Sequence, residues 1–233
     1  MQAGNNILDD VAAMARADSA GMLGLVATLS AQVAEGWSIS RELELPWQQS
    51  RAVAILGMGG SAIGGDLVKE VWSDRISAPV QVLRGYELPA WVGPETLVIA
   101  SSKSGQTEET LRQLETALSR RCPVVCVTAG GALRNVAQAA GLPLATFPDR
   151  GAARASVGWS VGILAGVLER AGVLTLEQAE IDEAVAAGMA MDARCAPNVP
   201  TADNPAKQLA WSLVDRFVVV SAAGFLAPVA RRW

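Results

Sequence analysis

The stretch Thr96-Leu-Val-Ile-Ala-Ser-Ser-Lys-Ser-Gly-Gln-Thr-Glu-Glu-Thr110 gives the clearest structural signal in this chain. Its first five residues form an apolar run that is typical of a buried parallel strand. From residue 107 to 118 apolar and small residues recur at helical spacing, and Glu108 and Glu109 occupy the first turn, where the helix dipole favours negative charge. The stretch therefore predicts a strand, a hydroxyl-rich turn and a helix in direct succession.

The turn between this strand and this helix has the composition of an oxyanion site. The first N–H groups of a helix lack intrahelical partners and point into such a turn. Hydroxyls at Ser101, Ser102, Ser104 and Thr107 can add donors, and Gly105 permits a close approach of the backbone. An ordinary helix cap needs one hydroxyl, so four within seven positions favour an anion site over simple capping.

Apolar runs of the same kind recur on both sides of this stretch and alternate with helical segments. Strands are expected at 52–56, 79–83, 96–100, 123–128 and 143–147, and helices at 66–72, 107–118, 132–140, 156–171 and 176–191. Uniformly apolar strands separated by helices indicate a parallel sheet that is covered on both faces. The predicted fold class is α/β, a three-layer doubly wound sheet of about five parallel strands.

Three regions are expected along the chain. Residues 1–50 form an N-terminal helical segment, with one or two helices over 6–36 broken near 19–21 and a connection from 37 to 49. Residues 51–195 hold the sheet. Residues 196–233 form a linker and then the beginning of a second, incomplete α/β domain, whose first helix is expected at 205–213 and first core strand at 216–221. Because a single parallel strand leaves its backbone groups unpaired, we expect the chain to be truncated near the start of that domain.

Composition narrows the classes of function. The chain of 233 residues is 51% hydrophobic and 18% charged, which is typical of a globular protein with a substantial core. Its net charge of −4 gives no reason to expect nucleic acid or an anionic membrane as a partner. It shows neither an apolar stretch of about 18 residues nor the layout of a signal peptide, so a cytoplasmic location is expected.

The inventory of reactive side chains excludes several kinds of site. The sequence contains no histidine, which removes Ser-His-Asp chemistry, histidine metal sites and the usual general base at neutral pH. Its three cysteines lack the paired spacing of a zinc site or a disulfide framework. We therefore expect no bound metal.

A glycine-rich stretch, Gly57–Gly65, follows the first strand at the edge where open α/β sheets bind ligands. It is compatible with a dinucleotide fingerprint, but that reading needs an acidic residue at the end of the second strand, where Glu87 comes late. Its glycines could also serve only a tight turn. Ser61 adds a hydroxyl, so the stretch and the hydroxyl-rich turn together favour a small phosphorylated ligand held between two loops.

The same residues resemble the sugar isomerase (SIS) domain. The resemblance lies in Gly57-Met-Gly-Gly-Ser-Ala-Ile63, in Ser102-Lys-Ser-Gly-Gln-Thr107 and in the following Glu109-Thr-Leu111, and it is greatest to the bifunctional phosphoglucose/phosphomannose isomerase family. It is strong over residues 51–171. Weaker similarity extends to Asn204–Leu209 and Arg231–Trp233.

The resemblance implies roles for individual positions. It places the sugar phosphate on Ser102, Ser104 and Thr107, and the sugar itself against Gly60 and Ser61. These five residues are the substrate-binding candidates.

The resemblance also implies that Arg154 lies near the reacting carbons and stabilises an enediolate. Without it, Arg154 reads as a surface cation or a partner in an ion pair at a helix start. Lys103 departs from the family, which often has an aromatic residue there, and a solvent-facing lysine is at least as good an interpretation as a ligand contact.

The implied reaction is aldose–ketose isomerisation of glucose 6-phosphate or mannose 6-phosphate to fructose 6-phosphate through a cis-enediol. It implies no cofactor and no metal, a sugar phosphate as ligand and a homodimer as the assembly. The family's catalytic glutamate, histidine and lysine would lie beyond Trp233. A fragment that binds phosphate but is inactive alone is therefore expected.

Three alternatives stay open. A non-enzymatic SIS module that senses sugar phosphates occurs in some transcription regulators, although residues 1–50 carry few basic residues, Arg16 and Arg41, for contacts with a phosphate backbone. A nucleotide-binding α/β domain would use the glycine-rich stretch after the first strand. A ketose–aldose isomerase of the amino-sugar type would retain the same two loops.

Overall fold

A five-stranded parallel sheet lies at the centre of the computed structural model, which describes residues 7–46 and 50–233. The strands are β1 (Ala52–Leu56), β2 (Val80–Leu83), β3 (Thr96–Ser101), β4 (Val124–Thr128) and β5 (Leu144–Thr146). Their spatial order is β2–β1–β3–β4–β5, and all four neighbouring pairs are parallel. The predicted doubly wound α/β sheet is confirmed, and each predicted strand agrees with the observed one to within a residue at either end.

Helices cover both faces of this sheet. They are α1 (Val11–Ala17), α2 (Met22–Val26), α3 (Leu29–Glu42), α4 (Gly59–Val71), α5 (Glu108–Ser119), α6 (Gly131–Ala139), α7 (Val157–Arg170), α8 (Gln178–Arg194), α9 (Pro205–Leu213) and α10 (Ala227–Arg232). Residues of α3, α4, α7 and α8 join the apolar cluster on one face, and residues of α5 and α6 join the cluster on the other. The strands are therefore apolar on both sides because neither face meets water.

The strand residues alternate between the two clusters. Ile55 and Ile99 pack on the face that holds Trp159, whereas Leu56 and Ala100 belong to the opposite face. Leu56 and Ala100 are register partners, so β1 and β3 end side by side. This shared end is where the loops that carry the predicted site begin.

The N-terminal segment contributes directly to one of these layers. Helix α3 packs on α7 so closely that a Cβ atom at Gly162 would lie 2.2 Å from the carbonyl oxygen of Val33. The predicted break near 19–21 is confirmed, with Gly21 at a φ of 64° before α2. The connection expected from residue 37 is wrong as far as Glu42, because α3 continues and buries Trp37. Residues 6 and 47–49 of these predictions lie outside the described residues.

The C-terminal region differs from its prediction at one point. Helix α9 forms as expected, with the Asn204 side chain accepting from the N–H groups of Ala206 and Lys207. The core strand expected at 216–221 is wrong, because the described part of the chain offers this segment no neighbouring strand and Phe217 is 95% exposed. Beyond it, α10 packs on α4.

No helix in the described ranges combines the length and the apolar character that crossing a bilayer requires.

Candidate functional site

The candidate site lies where the chain path reverses within the sheet. In the order β2–β1–β3–β4, the chain passes from β1 outward to β2 on one side and from β3 outward to β4 on the other. The loops after β1 and β3 therefore diverge to opposite faces of the sheet. Open α/β sheets bind ligands in the crevice that this divergence leaves at the carboxyl ends of the strands. The glycine-rich stretch follows β1 and the hydroxyl-rich turn follows β3, so both predicted loops border this crevice.

The glycine-rich stretch is mostly helix and not loop. Helix α4 begins at Gly59, seven residues before the predicted helix start at residue 66. Its glycines allow close packing, since a Cβ atom at Gly64 would lie 2.2 Å from the Ser160 Oγ of α7, and one at Gly60 would lie 3.1 Å from the backbone of Ala153. Gly59 has a φ of 49°, which favours glycine at the helix start. The stretch therefore brings a helix N-terminus, and not a flexible loop, to the crevice.

The hydroxyl-rich turn gathers the three predicted phosphate residues within one hydrogen-bonded loop. Ser102 is 2% exposed, and its Oγ lies 2.8 Å from the Thr107 Oγ1 and accepts from the N–H of Gly105 at 3.1 Å. The Ser104 Oγ accepts from the N–H of Gln106 at 3.2 Å. Thr107 precedes α5 without a side-chain capping bond. Its hydroxyl therefore serves the turn and not the helix cap.

Gly105 shapes this turn. Its φ of 64° is a conformation that residues with a side chain rarely adopt, and a Cβ atom there would lie 1.8 Å from the carbonyl oxygen of Gly130. The turn thus lies directly against the loop that follows β4.

Ser61 connects the two predicted loops. Its Oγ accepts from the backbone N–H of Lys103 at 3.1 Å. The structure therefore brings the Gly60–Ser61 pair and the hydroxyl-rich turn together, as predicted.

The Lys103 side chain has a structural partner. It is 15% exposed, forms an ion pair with Asp149 and donates to the carbonyl oxygen of Gly151 at 2.7 Å. The solvent-facing interpretation is therefore wrong. Through these two contacts, Lys103 connects the hydroxyl-rich turn to the segment that leads to Arg154.

Arg154 lies in a short 3-10 turn, Ala153–Ala155, just before α7. It is exposed and lines a cavity of about 260 Å³ together with Gly60. The full lining consists of Gly59, Gly60, Ile63, Arg84, Arg154, Arg231 and Arg232. We call this space the arginine cavity. Three of its four arginines were not predicted from the sequence.

A buried carboxylate organises two of these arginines. Asp66 of α4 is 8% exposed, and its Oδ2 accepts from Arg84 and, at 2.7 Å, from Arg231. Arg232 donates to the backbone carbonyl oxygen of Arg154 at 2.7 Å. Arg84 directly follows β2, so its position at the ligand-binding edge was a usable signal. The sequence around Arg231 and Arg232 offers no such signal, because their contacts depend on how α10 packs on α4.

Two ionisable side chains in and near this edge have shifted pKa values. The charge of Glu109, then burial and the charge of Glu108, raise the pKa of Tyr86, so its phenol remains a neutral hydrogen-bond donor at neutral pH. Burial raises the pKa of the Cys126 thiol in β4 to about 12, so this thiol is unreactive. Among the described residues no group of three or more His, Cys, Asp and Glu side chains is placed to hold a metal ion.

Comparisons with known proteins agree with this architecture. No family model matches the chain. Over 215 residues it is 33% identical to the bifunctional phosphoglucose/phosphomannose isomerase of Caldicellulosiruptor bescii, a match that covers 91% of this chain and 63% of that protein. The chain therefore spans less than two thirds of the length of this curated relative.

Solved structures show the same fold at lower sequence identity. A hypothetical protein from Thermus thermophilus superposes with a TM-score of 0.67 and 23% identity, covering 89% of this chain and 52% of that one. The C-terminal domain of glucosamine-fructose-6-phosphate aminotransferase from Francisella tularensis superposes with a TM-score of 0.65 and 14% identity, covering 90% of this chain and 64% of that one. The chain thus has the α/β fold of these solved structures and is similar in sequence to the bifunctional phosphoglucose/phosphomannose isomerases.

Proposed function

We propose that this chain carries the phosphate-binding half of a sugar-phosphate isomerase that interconverts glucose 6-phosphate or mannose 6-phosphate with fructose 6-phosphate. The proposal takes the isomerase activity from the relative's name and the phosphate site from the geometry of this chain. In this proposal the ligand of the chain is a sugar phosphate, and the chain needs neither a cofactor nor nucleic acid nor a membrane.

One observation carries the proposal, the bonded pair of hydroxyls on Ser102 and Thr107 at the start of α5. The first N–H groups of α5 lack intrahelical acceptors, and the helix dipole adds partial positive charge at the same point. A phosphate dianion placed there accepts from these N–H groups and from the hydroxyls of Ser104 and of the pair.

The sugar extends from this phosphate toward α4. Ser61 borders the turn through its bond to Lys103, and Gly60 borders the arginine cavity. A ligand that starts at Ser102 and passes Gly60 and Ser61 brings its far carbons toward Arg154. The guanidinium of Arg154 then stabilises negative charge that develops on an enediolate oxygen.

The isomerisation also needs a base that moves a proton between neighbouring carbons. Asp66 is unsuitable, because its carboxylate is buried and engaged by Arg84 and Arg231. The sequence also contains no histidine. We propose that the glutamate, histidine and lysine that the family resemblance implies for this reaction are not among the residues of this chain. The chain alone binds the sugar phosphate without turning it over.

The same proposal keeps the organisation inferred from sequence. It divides the chain into a helical segment at 1–50, an SIS domain at 51–195 and the start of a second domain at 196–233, with a homodimer as the functional assembly.

Isothermal titration with fructose 6-phosphate tests the phosphate site. We expect Thr107→Val and Ser102→Ala each to weaken binding about tenfold or more, because each removes a hydrogen bond to a charged group. Thr107→Ser, which keeps the hydroxyl, and Ser119→Ala, at the far end of α5, are the matched controls and should bind as the unmodified chain does.

Two outcomes contradict the proposal. One is unchanged affinity in both Ser102→Ala and Thr107→Val. The other is tight binding of NAD(P)H without binding of fructose 6-phosphate, which would favour the nucleotide-binding alternative.

A further inference from the structure

The arginine cavity concentrates positive charge in a chain whose net charge is −4. Four guanidinium groups line it, and Asp66 is the carboxylate that pairs with two of them. Within residues 7–46 and 50–233 neither Arg154 nor Arg232 forms an ion pair. Like charges held this close repel one another, so the cavity has a surplus of positive charge that a bound anion would offset.

The cavity also has the shape and the donors of an oxyanion site. Its volume of about 260 Å³ exceeds the roughly 30 Å³ that one water occupies in the liquid, so a phosphate group and several waters fit. Arginine is well suited to phosphate because its planar group donates two parallel hydrogen bonds. Gly59 and Gly60, the first residues of α4, present backbone to the same space.

Three of the four arginines are held in place before any ligand arrives. Asp66 fixes Arg84 from the end of β2 and Arg231 from α10, and the backbone of Arg154 fixes Arg232. A ligand therefore meets donors whose rotamer freedom is already reduced, which lowers the entropic cost of binding.

The cavity adjoins the hydroxyl-rich turn. Gly60 lines the cavity, the next residue Ser61 bonds to the backbone of Lys103, and Lys103 stands between Ser102 and Ser104. The cavity and the turn are therefore linked through two consecutive residues of α4 and one hydrogen bond.

We propose that the arginine cavity is a second phosphate subsite, which binds the second phosphate of a sugar bisphosphate whose first phosphate lies in the hydroxyl-rich turn. This rests on the proposed function for the turn and adds a ligand class to it. The bound group is a phosphate oxyanion, which a free phosphate ion beside a sugar monophosphate also supplies.

Isothermal titration of fructose 1,6-bisphosphate and fructose 6-phosphate onto the full chain tests the proposal. We expect the bisphosphate to bind about tenfold more tightly, because its second phosphate gains charge-assisted hydrogen bonds. Arg84→Ala and Arg232→Ala should each reduce this ratio severalfold, toward one. Arg84→Lys, which keeps the charge, should retain part of it.

Three controls distinguish a failure of the arginine cavity from a failure of the phosphate site in the turn. Arg51→Ala removes a cation at the opposite edge of the sheet, before β1, and should leave the ratio unchanged. Ser102→Ala should weaken the binding of both sugars by the same factor. A loss of all binding therefore indicates the turn, whereas a loss of the ratio between the two affinities indicates the cavity. Arg84→Ala leaves Asp66 with Arg231, and circular dichroism confirms that each variant is folded.

A second titration distinguishes the source of the anion. Inorganic phosphate is added to chain saturated with fructose 6-phosphate. Uptake that Arg84→Ala abolishes assigns the subsite to a free phosphate ion and supports the subsite itself. The proposal is overturned if the two sugars bind equally and no phosphate is taken up, or if both cavity variants keep the full ratio and the full uptake.

Discussion

The segment 217–220 and the strand β3 are both apolar runs, yet they have opposite surroundings. Ile99 in β3 is fully buried between two helical layers, whereas Phe217 is 95% and Val219 75% exposed. β3 has β1 on one side and β4 on the other, and the described residues give the later segment no strand to pair with. Apolar composition therefore indicates a strand only where neighbours can complete its hydrogen bonds.

The comparison predicts its largest effect in the buried run. Ile99→Ala should lower the free energy of unfolding by about 2–5 kcal/mol, because it removes buried methyl and methylene groups and leaves a cavity in close-packed surroundings. Urea denaturation followed by circular dichroism measures this loss. A change below about 1 kcal/mol would show that β3 is not enclosed on both faces.

The covering layer gives an intermediate effect. Gly162→Ala should cost about 1–3 kcal/mol, because the new methyl would lie 2.2 Å from the carbonyl oxygen of Val33 and push α3 away from α7. The matched control is Gly24→Ala, where the added atom meets nothing within 4 Å. Equal unfolding free energies for the two variants would contradict the close approach of α3 and α7.

The exposed run gives the smallest effect. Phe217→Ser should change the free energy of unfolding by no more than about 0.5 kcal/mol, because the ring makes little contact that folding protects. The same urea titration provides the measurement. A loss comparable to that of Ile99→Ala would mean that the ring is buried in solution.

The contrast also explains which parts of the fold could be predicted from the sequence. The strands of the sheet and the hydroxyl-rich turn were predictable, because apolar periodicity and a row of hydroxyls are local signals. The start of α4 at Gly59 was not predictable, because the glycines of this stretch serve contacts with distant residues. Gly64, for example, is required by its packing against Ser160, almost a hundred residues away. A glycine that serves close packing looks the same in sequence as one that serves a turn.

The candidate site shows the same division between local and distant information. Ser61, Ser102 and Thr107 lie on the two loops that the sequence predicts to share a ligand, and the structure brings these loops together. The pairing of Asp66 with Arg84 and Arg231 joins three separate parts of the chain. No local pattern encodes this pairing, so the sequence alone does not predict the arginine cavity.

The central claim is that a sugar phosphate binds in the turn between β3 and α5. A crystal structure of this chain soaked with fructose 6-phosphate tests it most directly. The account predicts phosphate oxygens within hydrogen-bond distance of the hydroxyls of Ser102 and Thr107 and of the first N–H groups of α5. A turn that stays empty at saturating ligand, or a phosphate bound only elsewhere on the surface, would contradict it.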